Sequence, residues 1–559
     1  KQVAWVELPG GNVTRRVPMP AEPRDLALSP DGAKLIVTCA GPKSTIAVLD
    51  AGSGGTLATI PAGHTAGATR LSPDGTRLYV CNRFDHNVSV IDLRAAREIA
   101  RVAAVREPVA VTVTPDGRTV LVANHLPNTR TDSAFTGDAA AVVSIFDAQT
   151  YATDVIGLPD GSNGLRGICT SPDGTRVFVT HLLSNFRMVP FRVDTGWINV
   201  NVVSIIDLPQ RTVLGTIGLD EFYLGAGNPW DVACSADGKW VCVSQAGTHE
   251  LSVIDLADLL SKAAIRTMSP MMGVWPIYPS LGASLWRRTK LPGTGPRGLT
   301  VAGSKVYVAE YFSDTVAVVD LASAEGGSVG SIALGPAPRL TPRRRGELLF
   351  HDATICYQQW QSCASCHPDG RLDGLNWDLM NDGVGNPKNP KSMVLSHATP
   401  PAMAEGVRMS AEEAVRSGLT HILFAVEQEE NAADMDTYLK SLKPVASPHL
   451  VDGQLSPAAE RGRQLFESPR VNCDSCHPAP TYTDLKPHNV GTRSRNESSD
   501  RFDTPTLVEV WRTAPYLHDG RYTTIRELLV EGRHGLAGGR LEALSEQDIQ
   551  DLVEFVLSL

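Results

Sequence analysis

The first 335 residues alternate short apolar runs with turn residues. Runs such as KLIVT, RLYVC and TVLVA are rich in β-branched and aromatic residues, and each follows a Ser-Pro-Asp-Gly turn or a close variant. Such runs, bounded by turn residues, predict β-strands. Within the turn, proline presets φ and glycine tolerates a positive φ. The turns begin at Ser29, Ser72, Thr114, Ser171 and Ser235.

A second apolar strand that ends in aspartate follows each of these runs. The aspartates are Asp50, Asp92, Asp147, Asp207 and Asp255, and a sixth unit without the full turn ends at Asp320. Each unit therefore predicts a small antiparallel sheet. Repeats of about 40–45 residues are typical of propellers. Residues 1–335 resemble the YVTN family of repeats, which implies an all-β propeller.

The number of blades is open from the sequence, because six full units are visible. The N-terminal VAWVEL segment looks like one more strand of the aspartate-ending type, with Glu7 in the place of the aspartate. Such a strand would complete a last blade and close the ring. We favour seven blades, with six as the alternative.

Three insertions interrupt the even spacing of the units. One follows His125, one follows His181, and a third lies near 259–293 and is rich in Pro, Met and Trp. The first two leave the same position of a blade, so we expect them to rise on one face. That face is a candidate docking surface for a partner or for a second domain, and ordinary loop growth is the alternative. The two histidines are expected to be loop residues rather than ligands.

The β pattern stops after residue 335 and helical patterns begin. The segment from Gly335 to Arg345 has three prolines, a basic cluster and no periodicity, which is typical of a linker. The helical part is duplicated: RGELLF at Arg345 matches RGRQLF at Arg461, and CASCHP matches CDSCHP. We predict a propeller at 1–335, a linker at 336–345, and two mostly α-helical, cytochrome c-like lobes at 346–443 and 444–559.

Each lobe contains one Cys-x-x-Cys-His motif. A zinc site would not need a histidine after each cysteine pair, and a thioredoxin-like dithiol would need a βαβ context that is absent. Covalent haem c needs two thiols for its vinyl groups and an adjacent histidine for its iron. The motifs therefore predict two haem c groups. The residues are Cys363, Cys366 and His367 in the first lobe and Cys473, Cys476 and His477 in the second.

Two further segments of the second lobe accompany these motifs. They are DTPTL from Asp503 and APYLHDGR from Ala514. Together with the haem motifs they resemble the di-haem cytochrome c peroxidase superfamily, including the MauG type. The resemblance implies peroxide chemistry at the N-terminal haem, electron relay through the C-terminal haem, and in many members calcium between the lobes.

The duplication also suggests distal iron ligands. His534 lies 13 residues after Arg521, and His421 lies 13 residues after Arg408, so each histidine is a candidate sixth ligand. A helix-end position favoured by the dipole is the alternative explanation for both. Competing ligands remain for the first haem, namely Met380, Met393, Met403, Met409 and His397, and for the second, His488.

Candidate catalytic residues in the first lobe are His421, Glu427 and Trp377. A distal carboxylate such as that of Glu427 would move a proton during peroxide cleavage. A solvated acidic run and simple packing of the tryptophan are the alternatives. The Trp-Asp-Gly-Arg motif that family peroxidases often carry in the first half is replaced here by EGVR, from Glu405 to Arg408.

Charge and composition narrow the function classes. The net charge of -10 argues against nucleic acid, and no apolar run approaches the length of a membrane span. Haem c attachment implies a periplasmic or other extracytoplasmic location, with any signal peptide already removed.

The first hypothesis is a peroxidase-like or MauG-like enzyme that uses hydrogen peroxide, with a small redox protein or a protein substrate as partner. The second is a bis-histidine electron-transfer protein whose propeller docks a redox partner.

Six cysteines lie outside the haem motifs. They are Cys39, Cys81, Cys169, Cys234, Cys242 and Cys356. Cys234 and Cys242 flank a predicted hairpin, so a disulfide between them is one prediction and buried free thiols are the other.

Overall fold

The computed structural model describes the chain except residues 190–197, 222, 268–285, 324–328, 380–382, 384 and 537–539. Most of the third insertion therefore lies outside the described residues. The remainder forms a β-propeller followed by a mostly helical region, as the sequence predicts.

Six antiparallel four-stranded sheets form the propeller, and in each of them neighbouring strands follow in chain order. They are the blades β3(Glu22–Leu28), β4(Lys34–Ala40), β5(Thr45–Asp50), β6(Thr56–Pro61); β7(Ala66–Leu71), β8(Arg77–Asn82), β9(Asn87–Asp92), β10(Arg97–Ala103); β11(Pro108–Val113), β12(Thr119–Asn124), β13(Val142–Asp147), β14(Thr153–Gly157); β15(Ser162–Thr170), β16(Arg176–Ser184), β17(Asn199–Asp207), β18(Thr212–Gly218); β19(Pro229–Cys234), β20(Trp240–Gln245), β21(Glu250–Asp255), β22(Trp286–Lys290); and β23(Pro296–Ala302), β24(Lys305–Glu310), β25(Thr315–Asp320), β26(Val329–Ala333).

The Ser-Pro-Asp-Gly motif forms the predicted turn between the first two strands of a blade. In the second blade, Ser72 Oγ donates to Asp74 Oδ1 at 2.5 Å, and Gly75 has a φ of 68°. A side chain with a β-carbon is strained in that left-handed region. The motif therefore fixes the hairpin that starts the blade.

The N-terminal segment forms a sheet of its own. β1(Gln2–Glu7) pairs with β2(Asn12–Pro18) and not with the last blade. Its apolar face packs Val3 and Met19 against Leu35 and Val37 of the first blade. The propeller therefore has six four-stranded blades, which is the alternative that the sequence left open and not the favoured seven.

The helical region repeats one arrangement twice. One helix, α1(Leu256–Thr267), belongs to the propeller. The helices of the helical region are α2(Pro342–His351), α3(Cys363–Cys366), α4(Ala411–His421), α5(Glu429–Lys440), α6(Pro457–Phe466), α7(Ile525–Val530) and α8(Glu546–Leu557). The short strands β27(Pro487–His488) and β28(Phe502–Asp503) pair in the second lobe. α2 packs on α5 in the first lobe and α6 packs on α8 in the second.

Matched residues hold these two helix pairs together. Gly346 of α2 lies against the backbone of Asp434, and Gly462 of α6 lies against that of Asp551, where a β-carbon would overlap the carbonyl. The preceding arginine of each helix binds the side chain of the same aspartate, Arg345 to Asp434 and Arg461 to Asp551. The duplication read from the sequence is thus a duplication of packing.

The cysteines outside the two motifs are free thiols. Cys242 lies opposite Ala233 in its hairpin, so the predicted disulfide between Cys234 and Cys242 is wrong. The sulfur of Cys234 instead lies 3.6 Å from that of Cys169 on the neighbouring blade. Among the described residues, no helix is long and apolar enough to cross a membrane.

Candidate functional site

Each Cys-x-x-Cys-His motif forms one tight helical turn. The first turn is α3, where Ser362 and Ser365 form a reciprocal capping box, and the second is a 3₁₀ turn, Cys473–Ser475. Residues three apart on a helix lie on one face, so both thiols of a motif are presented to the same side.

The histidine of each motif is oriented by a backbone carbonyl. His367 Nδ1 lies 2.8 Å from the carbonyl of Arg371, and His477 Nδ1 lies 2.9 Å from that of Tyr482. Because a carbonyl only accepts, Nδ1 carries the proton in both rings and Nε2 is left with a lone pair. Burial lowers the pKa of both histidines, which favours the neutral form that binds metal.

A second imidazole faces His477. The ring centres of His477 and His534 are 6.4 Å apart. Two nitrogen–metal bonds of about 2 Å, with about 1.1 Å from each nitrogen to its ring centre, add to roughly this spacing. Burial and the neighbouring His477 lower the pKa of His534 to about 4, and its Nδ1 is buried without a hydrogen-bond partner. The residues of the second lobe therefore fit an iron held between two imidazoles.

The first lobe is different. His421 is exposed at the end of α4, and His397 is held by Asp436 at 3.0 Å. Met409 is 77% exposed, whereas Met393 packs in the apolar cluster that contains Cys363. Met403 is half-buried and Met380 lies outside the described residues. No histidine ring among the described residues stacks near His367 in the way that His534 faces His477. The role of His421 as a ligand stays a prediction.

The propeller covers the first motif. Asn228 accepts a hydrogen bond from Ser365 Oγ at 2.6 Å and donates one to Ser362 Oγ at 2.6 Å. Asn199 donates to Gln361 at 2.9 Å. The first haem motif is therefore held from outside by side chains at the ends of propeller strands.

Asp369, two residues after His367, is the centre of a charged contact with the propeller. Arg83 and Arg166, from the second and fourth blades, lie 2.6 and 3.0 Å from its carboxylate. Burial alone would raise the pKa of Asp369, but Arg166 and Arg83 hold it well below its usual range. The loop that ends at Arg371 and orients His367 is thereby fixed to the propeller.

A second buried acid continues this contact into the other lobe. Glu107 of the propeller binds Arg83 at 2.7 Å and Arg512 at 3.1 Å, and all three side chains are largely buried. Burial opposes the charge of Glu107, but Arg512 and Arg83 outweigh it and lower its pKa. Both lobes are thus tied to one face of the propeller.

The insertions predicted to dock a partner or second domain contact the first lobe. In the loop after His125, Thr131 Oγ1 donates to Asn376 at 3.0 Å, and Asn376 donates to the Thr131 carbonyl at 3.0 Å. In the loop after His181, Phe186 packs in a cluster with Trp377. The docking of a second domain on this face is confirmed.

The two histidines that begin these insertions are buried in the propeller. His125 Nδ1 contacts the Leu165 carbonyl at 2.9 Å, and His181 Nε2 contacts Ser204 Oγ at 2.8 Å. Burial lowers the pKa of both, to about 3 and about 4. His125 lies in the loop after β12, as expected, whereas His181 lies on β16, and both side chains are buried rather than exposed.

Of the candidate catalytic residues, Trp377 lies beside the first motif. It packs in a cluster that includes Cys366, and its Nε1 donates to Asp373 at 2.8 Å. Asp373 is fully buried, which raises its pKa to about 7. Glu427 lies half-buried and accepts from Asn431 at 2.6 Å. No contact joins Glu427 or His421 to Trp377 among the described residues.

Sequence reasoning missed Asp369, Asp373 and the propeller asparagines. Asp369 stands two residues after His367, so its proximity to the motif was a usable signal. Its partners Arg83 and Arg166 lie more than two hundred residues earlier in the chain, and nothing in the local sequence pairs them.

The region proposed for calcium lies between the lobes. The ammonium of Lys391, from the first lobe, binds the Asp503 carboxylate, and the Asp503 backbone donates to Ala404 at 2.8 Å. A positive charge of the protein itself thus already contacts this carboxylate. His488 is held by Asp484 at 2.8 Å. Calcium stays a prediction.

Three curated proteins show what the chain is similar to, whereas no family model matches it. Hydrazine synthase subunit gamma of Kuenenia stuttgartiensis is 30% identical over 271 residues, which cover 39% of this chain and 77% of that protein. Subunit beta of the same enzyme is 25% identical over 28% of this chain and 41% of its own length. The methylamine utilization protein MauG of Methylophilus methylotrophus is 24% identical over 40% of this chain and 81% of its own. The likeness to subunit gamma and MauG indicates a haem-related redox protein.

Proposed function

Because the chain belongs to the family of hydrazine synthase subunit gamma, we propose that it is a di-haem c-type oxidoreductase. It acts on a small molecule at the first haem and moves electrons through the second. Haem 1 is held by Cys363, Cys366 and His367, and haem 2 by Cys473, Cys476, His477 and His534. We propose one haem for each of the lobes at 346–443 and 444–559, with the propeller at 1–335 and a linker at 336–345.

The difference between the two lobes supports this proposal most directly. At the second motif, His534 faces His477 at a spacing that suits one iron between them. A haem with two imidazole ligands has no free position, which suits an electron relay. At the first motif, the described residues place no such partner opposite His367. A haem bound at the first motif would therefore be the one that could accept a small ligand.

Bound haem would supply one-electron chemistry and a metal that binds small ligands. The residues around the first Cys-x-x-Cys-His motif hold that motif in position. Arg371 orients the imidazole of His367, Asp369 anchors the loop between them, and Trp377 and Asp373 fill the space beside Cys366. A buried carboxyl with a pKa of about 7 is also suited to hold or release a proton near neutral pH.

Hydrogen peroxide is the first candidate substrate, in keeping with the MauG likeness, and the electrons would come from a small redox protein or a protein substrate. Small nitrogen compounds are the second candidate, and the higher identity to a hydrazine synthase subunit favours them. The chain joins in one polypeptide regions similar to both the beta and gamma subunits of that enzyme. Because haem c is attached outside the cytoplasm, a periplasmic or other extracytoplasmic location is part of this proposal.

The test is electron paramagnetic resonance of the oxidised and half-reduced protein, with hydrogen peroxide and then hydroxylamine added to each. We expect one low-spin signal that no addition changes, from haem 2, and a second signal that changes with one of the two compounds. The compound that changes it and is consumed catalytically identifies the substrate. Two low-spin signals that neither half-reduction nor either compound alters would contradict the enzyme and leave an electron-transfer protein.

A further inference from the structure

Three large side chains occupy the same position on successive inner strands of the propeller. Arg166 on β15 and Trp230 on β19 each stand five residues before the serine of a turn motif. Arg297 on β23 follows Pro296 as Trp230 follows Pro229, and both prolines pair with the last residue of the next strand. The guanidinium groups of Arg166 and Arg297 lie 4.3 and 4.5 Å from the Trp230 ring.

These side chains line a cavity of about 30 Å³ between the propeller and the first lobe. The lobe contributes His351 of α2 and Ala364 and Ser365 of α3. A water needs roughly 10–15 Å³ of such space, so there is room for about two water-sized groups. The cavity accommodates a small ligand and excludes a bulky organic one.

Arg297 makes no ion pair and no side-chain hydrogen bond among the described residues. Its guanidinium lies over the rings of Trp230, Tyr311 and Phe312, with Tyr311 at 3.7 Å, and its Nε is buried without a hydrogen-bond partner. Arg166 shares the carboxylate of Asp369 with Arg83. The charge of Glu347 also acts on Arg297, but this carboxylate is paired with Arg344 at 2.9 Å. Burial lowers the pKa of Arg297 to about 10, so it stays charged at neutral pH.

We propose that this cavity binds a small inorganic anion, a halide or a planar oxyanion of the size of nitrite or nitrate. Buried charges require a partner, and a guanidinium presents a planar fork of donors that suits such anions. The anion would lie beside the Trp230 ring, within reach of the guanidinium groups of both Arg166 and Arg297. This site is separate from the small-molecule site proposed at haem 1.

A haem carboxylate is an unsuitable occupant of this position. Cys363 and Cys366 define the face of α3 that carries haem. Ala364 and Ser365, which line the cavity, lie on the other sides of that turn, and Ser365 is bonded to propeller Asn228. The cavity is therefore behind the haem-bearing face.

The holoprotein tests the proposal with bromide as the probe. Crystals soaked in sodium bromide should show an anomalous scattering peak beside Arg297 and Arg166. In solution, bromide should raise the thermal midpoint more than a sulfate salt of equal ionic strength. Arg297→Gln should abolish the peak and weaken bromide binding by about tenfold or more, as expected for the loss of a charge-assisted contact.

Arg24 provides a matched control. It stands at the same position of the first blade, five residues before Ser29, but is half-exposed and lies 3.4 Å from Glu22. Arg24→Gln should leave the bromide peak and affinity unchanged, whereas equal losses in both variants would mean a general effect of charge. Water alone at the site in wild-type crystals, or a haem carboxylate there, would overturn the proposal. Haem content and redox spectra, measured on the same variants, report separately on the proposed oxidoreductase.

Discussion

The two Cys-x-x-Cys-His turns carry a serine at the same place and use it differently. Ser365 is buried and bonded to Asn228 of the propeller, whereas Ser475 is exposed and donates within its own turn, to the Asn472 carbonyl at 2.7 Å and to Cys476 Sγ at 3.9 Å. The first motif is contacted by the propeller, whereas the histidine of the second motif lies beside His534 of its own lobe. Two motifs that share their cysteines, serine and histidine thus have different surroundings.

The largest effect should come from His534, the distal ligand that we propose for haem 2. His534→Met should raise the reduction potential of haem 2 by on the order of 100 mV, because axial ligands set haem potentials over roughly 0.8 V and His/Met pairs lie higher than bis-imidazole. Spectroelectrochemical titration of the holoprotein measures this change. The potential of haem 1 should stay constant.

The matched control for that variant is His421→Met in the first lobe. Since His421 is exposed at a helix end, this substitution should shift neither potential. A shift of haem 1 in this control would make His421 a ligand and restore the symmetry between the lobes.

Glu107→Gln should destabilise the contact of both lobes with the propeller. It leaves Arg83 and Arg512 buried beside a neutral group, and breaking a buried ion pair costs about 4 kcal/mol. Urea unfolding, followed by fluorescence and by haem absorbance, measures the loss. Asp154→Asn, which removes an exposed pair with Arg211, should change stability by less than about 0.5 kcal/mol. Equal effects of the two variants would refute the buried contact as the main tie.

Asp373 gives the stability of the first lobe a pH dependence. Its pKa is raised to about 7 in the folded protein, so folding binds a proton, and the contribution is complete below pH 4 and is lost as the pH rises through 7. On the order of 4 kcal/mol of stability should disappear across this range. Asp373→Asn should remove that slope while it keeps the shape of the side chain. The midpoint of urea unfolding is measured at pH 5 and at pH 8 in both proteins. If stability falls between these pH values as much in Asp373→Asn as in the wild type, Asp373 is not the group responsible.

Much of the fold was predictable because its signals are local. The turn motif, the aspartate-ending strands and the repeated Arg-Gly helix starts each lie within a few residues, and each has the predicted structure. The closing of the ring was not predictable from the repeat pattern. The strand containing Glu7 finds its partner in Asn12–Pro18, a segment without the repeat pattern, so the sequence suggested a seventh blade.

The candidate site also has residues that local sequence predicts and residues that it does not. The thiols and histidines of the two motifs follow from spacing alone, and the equal distance from Arg521 led to His534. The same offset led to His421, which the structure leaves exposed, because the spacing shows that two segments are related but not which face of a helix turns inward. Asp369 and its arginines come from different domains, and only the folded chain brings them together.

The smallest effect should test whether the lobes are independent. Arg345→Ala and Arg461→Ala each remove an exposed partner of a buried aspartate, Asp434 of α5 and Asp551 of α8, so each should lower the midpoint of urea unfolding by less than Glu107→Gln does. If the lobes fold separately, the double variant should lose a free energy of unfolding equal to the sum of the losses in the two single variants, within about 0.5 kcal/mol. A larger deviation would mean that loosening one lobe loosens the other. Such coupling would have to pass through the face where Glu107 joins Arg83 to Arg512, and it should vanish when Glu107→Gln is added to both arginine variants.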